Sequence, residues 1–527
     1  MIKTDIISDV QYNTDSIKNQ ICSLLPIQKE EITDLSIVKK VLKFEDGRPM
    51  YALSVALSLS PEREAGLLKM KKKVSIAPDY SFEVPSFFGG SRPVIIGAGP
   101  AGLFSALVLA EAGAMPILLE RGDAVEERII AKNRFFSDGN LDPESNIQFG
   151  EGGAGAFSDG KLKVGGMDKY KYKVLSEFIS AGAPEDIAYT VGAHLGTDKL
   201  PIYIKAIREK IKSLGGSIFF RAKATDIKVK DSKVYAVEYL LEGKSFLIET
   251  DRVIFAAGHS AKDSFEILLS KNAPIEPRGF GIGVRIEHPR EYIDGLVYKD
   301  SSLAKELGTA SYHLVTHLKS GRSVYSFCMC PGGTVVAAAS EEGGVVTNGM
   351  SEYMRDADNS NAAHLVSVTP KDFASEHPLA GIDLQRKIEN SVYRIGGQNY
   401  NAPAERMEDF MKRSKPTSFG SVKPSYPCGV SLVSTEEYLP SFITESLREG
   451  ILDFDDWMKG FYYPDSVITG AETRSTSPVK VLRGDNYMCI GIEGLYPIGE
   501  GAGYAGGIVS AAADGVRAAE KILFENC

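Results

Sequence analysis

Apolar residues dominate the stretch Pro93–Gly122 and divide it into two short runs and one longer run. The run Pro93–Ile96 is too short for a helix and rich in β-branched residues, so it predicts a buried strand. An amphipathic run over Leu103–Ala112, closed by Gly113, predicts a helix, and Pro116–Leu119 predicts a second strand. The order strand, helix, strand is the β-α-β unit of dinucleotide-binding folds.

Glycines occupy the positions in this unit where a bound pyrophosphate requires a close backbone. Gly97 permits the tight turn, Gly99 lets the backbone approach the pyrophosphate, and Gly102 lets helix and strand pack closely. Pro100 and Ala101 stand between these glycines, where the helix N-terminus offers free N–H groups and a positive dipole. The spacing therefore predicts a phosphate-binding loop.

An acidic residue closes the second strand of the unit. Glu120 lies 18 positions past Gly102, where a carboxylate accepts hydrogen bonds from ribose hydroxyls. The adjacent Arg121 is predicted to contact the cofactor as well. The alternative, an ordinary glycine turn in an α/β protein, does not account for a strand, helix, strand and acid in this order.

Three further stretches of small residues follow the fingerprint. Gly150–Gly160 lacks a following helix, so it predicts either a loop beside a flat ligand or a structural glycine turn. The strand VIFAAG ends in small residues that let a chain cross over a nucleotide, and Gly499–Gly507 leads into a helix predicted over Ile508–Phe524. The predicted cofactor contacts here are Gly150, Gly153, Ser158, Asp159, Gly160, Lys161, Ala257, Gly258, Gly499, Glu500, Gly506, Gly507 and Ile508, with Ala224 in a neighbouring strand.

Four separate glycine-rich segments distinguish between candidate cofactors. A nicotinamide enzyme needs one fingerprint, whereas FAD is longer and requires close backbone at several distant places. Only the first segment belongs to a complete β-α-β unit. The sequence therefore predicts one non-covalent FAD and no dedicated NAD(P)H domain.

The order of predicted strands, helices and glycine segments along the chain predicts an α/β protein with a discontinuous Rossmann-like FAD-binding domain over 91–265 and 485–527. Residues 266–484 lack the β-α-β rhythm and are predicted as an inserted α+β substrate or cap domain. Residues 1–90 predict a small α+β, ferredoxin-like domain, separable through a Pro/Gly-rich linker. A four-stranded meander is predicted over 216–250, and helices are predicted over 351–357, 404–414, 440–449 and 453–459.

Composition narrows the classes of partner and compartment. The net charge is −9, and residues 1–90 hold equal numbers of basic and acidic side chains, so no nucleic-acid partner is expected. The run Lys71–Lys73 predicts a solvated turn. No apolar run has transmembrane length, and the N-terminus lacks a signal-peptide pattern, so we expect a cytoplasmic chain without a membrane partner.

The cysteines add to this expectation. None of the six lies in a C-x-x-C motif, which predicts reduced thiols and no metal site. Cys328 and Cys330 form the one close pair, with a spacing poor for a redox disulfide, and are predicted to pack in an apolar core.

Five motifs carry a family resemblance over residues 91–527: FGEGGAGAFSDGKL, GAHLGTDKL, CMCPGG, GAETRSTSP and PIGEGAGYAGGI. With Gly97–Gly102, Glu120 and the FAAG strand end, they resemble a bacterial family of NAD(P)/FAD-dependent dehydrogenases within the glutathione-reductase-type FAD superfamily. The resemblance implies FAD and an oxidoreductase activity without a defined substrate. Many superfamily members have Asp at the position of Glu500, where it holds a ribityl hydroxyl.

These observations predict an FAD-dependent oxidoreductase that transfers hydride between the flavin and a small-molecule substrate, with NAD(P)H as a possible transient reductant. Arg474 lies where the chain re-enters the FAD domain and is the candidate catalytic residue, predicted to bind a substrate carboxylate or carbonyl; a structural salt bridge is the alternative. A flavoprotein acting on RNA and a non-catalytic flavin sensor are the other two hypotheses. The substrate, the direction of the reaction and the oligomeric state stay open.

Overall fold

The computed structural model describes residues 1–69, 73–87, 89–162 and 165–524. Two compact units share the chain: Met1–Glu83 with Leu162–Ala193, and Val84–Lys161 with the chain from His194 onward. The sequence analysis assigned residues 162–193 to the FAD-binding domain, whereas the structure packs them with the first 83 residues. Most of the predicted Lys71–Lys73 turn lies outside the described residues.

The first 83 residues form a four-stranded antiparallel sheet with two helices. Its strand order, β2-β3-β1-β4, is the order of the ferredoxin-like split β-α-β arrangement. Apolar residues of α1, such as Ile17 and Ile21, pack with Val55 and Leu57 of the sheet. The elements are β1 (Ile2–Asp9), α1 (Thr14–Leu24), β2 (Asp34–Glu45), β3 (Arg48–Ser58), α2 (Pro61–Leu68) and β4 (Ser75–Ile76).

The predicted β-α-β unit follows as β5 (Val94–Ile96), α3 (Pro100–Glu111) and β6 (Ile117–Leu119), with α4 (Val125–Asp138) after it. Helix α3 is buried on all sides from Ala101 to Ala110 and is not amphipathic as predicted. The reason is that the C-terminal helix of the chain packs on the side of α3 that would otherwise face solvent.

The next part of the chain adds strands β7 and β11 to the sheet that contains β5 and β6, and it also contains a separate antiparallel meander. The elements are α5 (Lys169–Ser180), α6 (Leu200–Ser213), β7 (Ser217–Phe219), β8 (Ala222–Lys230), β9 (Lys233–Leu241), β10 (Lys244–Glu249), β11 (Val253–Phe255) and α7 (Lys262–Ser270). Strands β8, β9 and β10 form a three-stranded antiparallel sheet. Strand β7, predicted to belong to it, instead pairs in parallel with β6, because α6 returns the chain to that edge.

A seven-stranded, mostly antiparallel sheet organises the residues predicted as the inserted domain. Its order is β14-β15-β18-β13-β21-β19-β20. The elements of this region are β12 (Ile275–Pro277), β13 (Phe280–Pro289), α8 (Arg290–Tyr298), α9 (Ala304–Leu307), β14 (Val315–His317), β15 (Ser323–Cys330), β16 (Thr334–Ala337), β17 (Thr347–Met350), β18 (Asn359–Val368), α10 (Ala380–Gly396), β19 (Ala402–Arg406), α11 (Met407–Lys412), β20 (Val430–Leu432), α12 (Ser441–Trp457), β21 (Val467–Glu472) and β22 (Val479–Val481).

All four helix predictions in this region differ from the structure. Residues 351–357 form a non-helical loop, and 404–414 begins as strand β19 before the short helix α11. Residues 440–459 hold one continuous helix, α12, rather than two. In β19 the pairing of Ala404 with Thr469 overrides the helix propensity of alanine and glutamate, because the strand is almost entirely buried.

The chain closes with β23 (Leu495–Pro497) and α13 (Ile508–Phe524). Strand β23 joins the nucleotide-binding sheet, whose order is β23-β11-β5-β6-β7 with every pairing parallel. The carboxyl ends of β23, β11 and β5 therefore lie side by side. The loops that follow these three strands meet at one edge, where open α/β sheets bind ligands.

Candidate functional site

The loops after β5, β11 and β23 approach one another at positions that exclude side chains. Gly97 has φ +102°, and a Cβ there would lie 2.5 Å from the carbonyl oxygen of Ala256. A Cβ at Gly501 would overlap the carbonyl oxygen of Gly258. The first fingerprint, the FAAG strand end and the C-terminal glycine loop thus form one contiguous surface of backbone.

The Gly150–Gly160 loop joins the same surface. A Cβ at Gly153 would lie 3.2 Å from Cα of Gly99, and a Cβ at Gly155 would lie 2.9 Å from Cγ1 of Ile508. The Gly152 N–H also donates to the carbonyl oxygen of Ala98 at 2.8 Å. Four segments that lie between residues 97 and 507 therefore converge around narrow backbone crossings, which suits an extended dinucleotide.

Glycine at the third fingerprint position packs helix against strand. A Cβ at Gly102 would overlap the carbonyl oxygen of Gly97, so no larger residue fits while α3 keeps its position. On the other side of α3, a Cβ at Gly515 would overlap the carbonyl oxygen of Ala101. Ala101 is thereby held against α13, and Pro100 begins α3 at its first position.

Glu120 has a role that the sequence did not indicate. Its carboxylate is 4% exposed and accepts three backbone N–H bonds, from Ala98 at 2.7 Å, Gly122 at 2.8 Å and Gly150 at 3.1 Å. It joins the phosphate loop, the end of β6 and the Gly150–Gly160 loop. Ribose binding by this carboxylate stays a prediction, and the three hydrogen bonds already fix the carboxylate in place.

Arg128 on α4 is the residue that sequence reasoning missed. Its guanidinium is fully buried and donates to the carbonyl oxygens of Asn146 at 2.8 Å, Ile147 at 2.7 Å, Glu151 at 2.7 Å and Gly153 at 2.8 Å. Burial lowers the pKa of this guanidinium to about 10, with nearby carboxylates opposing the shift. These hydrogen bonds set the path of the Gly150–Gly160 loop.

A signal for Arg128 was present in the spacing. Val125, Arg128, Ala131 and Phe135 recur at intervals of three and four residues, which places the arginine on the buried stripe of the helix. A charged residue on such a stripe needs partners inside the protein. Without the fold, the sequence does not identify those partners as loop carbonyls.

The start of α13 leaves open space. Gly506 and Gly507 are exposed, and a Cβ at Gly506 would meet no atom within 4 Å. The Gly506 N–H reaches Ser510 Oγ at 3.3 Å, whereas the N–H groups of Gly507 and Ile508 have no partner within the helix. Upstream, the Gly499 N–H donates to Asp514 Oδ2 at 2.8 Å, which ties the loop to α13.

Glu500 is a half-buried carboxyl group in the C-terminal glycine loop. Burial raises its pKa to about 7, the charge of Cys328 acts in the same direction, and Arg278 opposes it.

The end of the Gly150–Gly160 loop is engaged within the protein. Ser158 Oγ accepts from the Gly160 N–H at 3.0 Å, and the buried Asp159 accepts from Arg355 Nε at 2.9 Å. Lys161 Nζ donates to the carbonyl oxygen of Met329. Ala224 lies in β8, half-buried against the core of the sheet.

Arg121 lines a cleft of about 490 Å³. Its guanidinium donates to Glu144 at 2.5 Å and to Asp263 at 2.7 Å, and stacks 4.5 Å over the ring of Phe149. Charged and polar residues also line the cleft elsewhere, among them Ser260, Lys262, Glu341 and Arg386. Such a lining suits a polar ligand.

Arg474 does not present a free guanidinium. Its Nε and Nη2 donate to the two oxygens of Glu389 at 2.9 and 2.7 Å, and Nη1 donates to Ser340 Oγ. Both ends of the ion pair are nearly inaccessible, at 6% and 3% side-chain exposure. The geometry is that of a structural salt bridge, the alternative interpretation of the sequence, and it leaves this guanidinium no free donor pair for a substrate carboxylate.

Sequence comparisons agree with the convergence of the glycine segments. Residues 91–270 match the family described as "Pyridine nucleotide-disulphide oxidoreductase", and residues 279–475 match "FAD-dependent protein, C-terminal domain-like". A protein of Clostridium beijerinckii is 44% identical over 515 residues, which is 96% of this chain and 95% of that protein. The chain belongs to this FAD-dependent oxidoreductase family. The resemblance seen in the motifs is confirmed, and FAD is the non-covalent cofactor.

Other similarities are more distant. The tRNA 5-methylaminomethyl-2-thiouridine biosynthesis bifunctional protein of Campylobacter hominis is 28% identical over 34% of this chain and 24% of its own length. Among solved structures, the flavin-dependent brominase Bmp2 matches 83% of this chain and 79% of its own with 12% identity and a TM-score of 0.37. Quinol fumarate reductase of E. coli matches 83% and 70% with a TM-score of 0.35. These scores are too low to assign an activity to the family member described here.

Two findings concern the described residues as a whole. No helix among them is both long and apolar enough to span a bilayer. No group of three or more His, Cys, Asp and Glu side chains within the described ranges is arranged to hold a metal ion.

Proposed function

We propose that this oxidoreductase transfers hydride between FAD and a small polar molecule, with NAD(P)H serving as a transient reductant. The observation that carries the proposal is the convergence of four glycine segments at the carboxyl edge of the parallel sheet. Membership of an FAD-dependent family supports the cofactor. The single β-α-β fingerprint supports a reductant that binds only in passing.

The residues that would hold FAD follow from their chemistry. Gly97, Gly99 and the start of α3 would receive the pyrophosphate, because the first N–H groups of a helix attract anions. Glu120 and Arg128 keep the surrounding loops in place. When bound, FAD supplies the two-electron redox chemistry, and the protein positions and tunes it.

The start of α13 would tune the bound cofactor. The N–H groups of Gly507 and Ile508 and the positive end of the helix dipole favour negative charge beside them by up to ~2 kcal/mol. For a two-electron couple, about 1.4 kcal/mol corresponds to roughly 30 mV. The helix would thus shift the potential by a few tens of millivolts, which adjusts the cofactor without deciding the reaction.

The cleft beside Arg121 is the proposed place for the small molecule. Its volume of about 490 Å³ lies within the roughly 300–1,000 Å³ of ligand pockets. On its wall, Arg386 pairs with Glu341 at 2.6 Å and Lys262 pairs with Asp383 at 2.6 Å, and acidic residues of the lining outnumber the basic ones. We expect a small molecule that both donates and accepts hydrogen bonds to bind there.

The experiment is anaerobic reduction of the purified holoprotein by NADH or NADPH, followed by flavin absorbance in a stopped-flow instrument. Rapid bleaching with one or both donors supports the proposal, and reoxidation by a panel of small oxidants then defines the substrate class. No reduction by either donor would remove NAD(P)H from the proposal.

Action on RNA is the second candidate function, because the Campylobacter relative is named for tRNA modification. A gel shift with tRNA tests this candidate directly.

A further inference from the structure

The C-terminal glycine loop, which connects β23 to α13, is held at its first residue by the helix that follows it. The Gly499 N–H donates to Asp514 Oδ2 at 2.8 Å, and Asp514 lies in the second turn of α13. At the other end of the loop, Gly506 and Gly507 are exposed beside the first turn of the same helix. One buried carboxylate therefore joins the end of β23 to the helix whose first turn is open.

Arg483, which follows β22, completes this connection. Its Nη1 and Nη2 donate to the two oxygens of Asp514 at 2.9 and 2.7 Å, and Nη1 also donates to the carbonyl oxygen of Pro497 at 2.8 Å. The guanidinium carbon lies 3.6 Å from the ring centroid of Tyr504 and 3.9 Å from that of Tyr487. The side chains of Arg483 and Asp514 are only 7% and 5% exposed, so the pair lies inside the protein and is not screened by solvent.

Two further contacts fix the middle of the loop. Tyr504 Oη accepts from the backbone N–H of Arg483 at 3.1 Å and donates to the carbonyl oxygen of Val481 at 3.0 Å. Arg278 Nη1 donates to the carbonyl oxygen of Gly503 at 2.9 Å. Arg483 therefore acts on the loop twice, through its guanidinium at β23 and α13 and through its backbone at Tyr504.

A role in packing alone would not require charged residues at these positions. A buried ion pair can often be replaced by apolar side chains of similar volume with little loss of stability, because removal of both charges also removes their desolvation cost. Apolar side chains, however, neither accept from the Gly499 N–H nor donate to the Pro497 carbonyl oxygen. What the ion pair supplies beyond packing is a fixed placement of α13 relative to β23.

We propose that Arg483 and Asp514 are positioning residues that set the reduction potential of the bound flavin by fixing the start of α13. The inference rests on the part of the proposed function that places this helix start beside the flavin. The N–H groups of Gly507 and Ile508 belong to the same rigid helix as Asp514, so a shift of α13 relative to β23 moves them too. The effect of a helix dipole falls off within its first turn, so a small shift changes its action on a neighbouring negative charge.

The test compares the full-length holoprotein with the double variant Arg483→Met/Asp514→Leu, which removes one positive and one negative charge together and keeps the net charge. The potential is measured by anaerobic photoreduction beside a reference dye, which requires neither NAD(P)H nor a substrate. We expect the equilibrium constant for reduction to fall about tenfold, which is about 30 mV in a two-electron couple. The reason is that the positive end of α13 is no longer held against the negative charge of the reduced flavin.

The chain offers a matched control in a second ion pair of the same design. Arg322 Nη1 and Nη2 donate to the two oxygens of Asp372 at 3.1 and 2.6 Å, and Nη1 donates to the carbonyl oxygen of Ser367 at 2.9 Å. Its guanidinium lies 4.2 Å from the ring centroid of Phe442. This pair joins β15 to the end of β18 and touches no glycine segment, so Arg322→Met/Asp372→Leu should leave the potential unchanged.

Tyr504→Phe supplies a milder second variant, in case the double variant does not fold or does not retain FAD. It removes the hydroxyl that accepts from the Arg483 N–H and keeps the ring beside the guanidinium. The equilibrium constant for reduction should fall in the same direction by a smaller factor. Urea unfolding of each variant reports whether its fold is intact.

An unchanged or higher potential in the folded, FAD-bound double variant, or in Tyr504→Phe where that variant replaces it, overturns the proposal. An equal fall in the control pair also overturns it, because the shift would then follow from the loss of any buried ion pair. Bleaching by NADH or NADPH, followed on the same wild-type sample, separates this result from the proposed function. A shifted potential without bleaching by either donor would support the positioning role and refute only the NAD(P)H step.

Discussion

Among single residues, Gly99 tests the placement of the phosphates most directly. A Cβ there would lie 3.9 Å from Cα of Gly153, an ordinary contact, whereas the branched side chain of valine would enter the space between the two loops. We expect Gly99→Val to fold and to be colourless, measured as FAD absorbance per chain. The matched control is Gly66→Val on α2, an exposed position with no atom within 4 Å of the added Cβ. Full FAD occupancy in Gly99→Val would show that the phosphates lie elsewhere.

A substitution at Arg128 tests whether its hydrogen bonds to backbone carbonyl oxygens hold the Gly150–Gly160 loop in place. Arg128→Lys keeps the charge and cannot reach all of the carbonyl oxygens that the guanidinium serves. Each buried acceptor left unpaired costs ~1–3 kcal/mol. We therefore expect urea titration to give a free energy of unfolding lower by about 2–4 kcal/mol, together with a reduced affinity for FAD. Arg134→Lys, exposed on the same helix, should change neither quantity.

Glu500 links stability to pH. Its pKa rises from 4.5 to about 7 on folding because burial disfavours the charged form. Between these values the folded carboxyl keeps a proton that the unfolded chain releases, so this group's contribution falls as the pH rises through the window. Glutamine does not titrate, so Glu500→Gln should lose about 1–2 kcal/mol less unfolding free energy than wild type as the pH rises. This figure allows for the partial exposure of the side chain.

The measurement is urea unfolding of the apoprotein at about pH 5 and about pH 8. Relative to wild type, the free energy of unfolding of Glu500→Gln should be more favourable at the higher pH than at the lower pH. Glu449→Gln, an exposed substitution on α12, controls for loss of a surface charge. Parallel curves for Glu500→Gln and wild type would place the proton of Glu500 outside this window.

At the scale of elements, the segment from 162 to 193 depends on the N-terminal residues. The Lys40 N–H donates to the carbonyl oxygen of Tyr189 at 2.8 Å, and Lys40 Nζ lies 3.7 Å from Asp186. The rings of Tyr80 and Tyr172 stand 5.8 Å apart. Removing residues 1–83 therefore deprives α5 and its flanking loops of their partners.

A chain that begins at Val84 should still bind FAD, since every glycine segment belongs to the other unit. Limited proteolysis should cleave it first between residues 162 and 193, with the full chain as control. The sequence alone predicted that residues 1–90 form a separable domain. Equal protection of this segment in both chains would restore that simpler picture.

At the scale of the whole molecule, the kinetic mechanism follows from the count of nucleotide sites. Within the described ranges, β5-α3-β6 is the one β-α-β unit with the glycine fingerprint. If NAD(P)H and the oxidant use the same cleft, they bind in turn, and double-reciprocal plots should give parallel lines. Intersecting lines would require both ligands to be bound at once.

A variant pair checks the shared cleft in the same assay. Arg386→Met removes a positive group from its wall and should raise KM for both ligands by about tenfold, the loss of one charge-assisted contact. Arg394→Met, exposed on the same helix α10, should leave both values unchanged.

The sequence by itself was sufficient to predict those elements whose type and length are indicated by their own apolar residues and glycines. The strand, helix and strand of Val94–Leu119 were predicted because their apolar runs and the glycine spacing are local features of the sequence, although the partners they pack against lie far along the chain. The helix Ile508–Phe524 was predicted to the residue for the same reason. Motifs also sufficed to indicate the FAD-dependent family.

Tertiary structure decided the features that depend on partners distant in sequence. The pairing of Arg474 with Glu389, the carbonyl contacts of Arg128 and the grouping of residues 162–193 with the N-terminus join segments up to 150 positions apart. No local propensity encodes such contacts, because an arginine has the same helix preference whether its guanidinium meets water, a carboxylate or a ring of carbonyl oxygens. The register shift between Phe327 and Cys330 likewise belongs to the pairing of β15 with β18, which lies some thirty residues further along the chain.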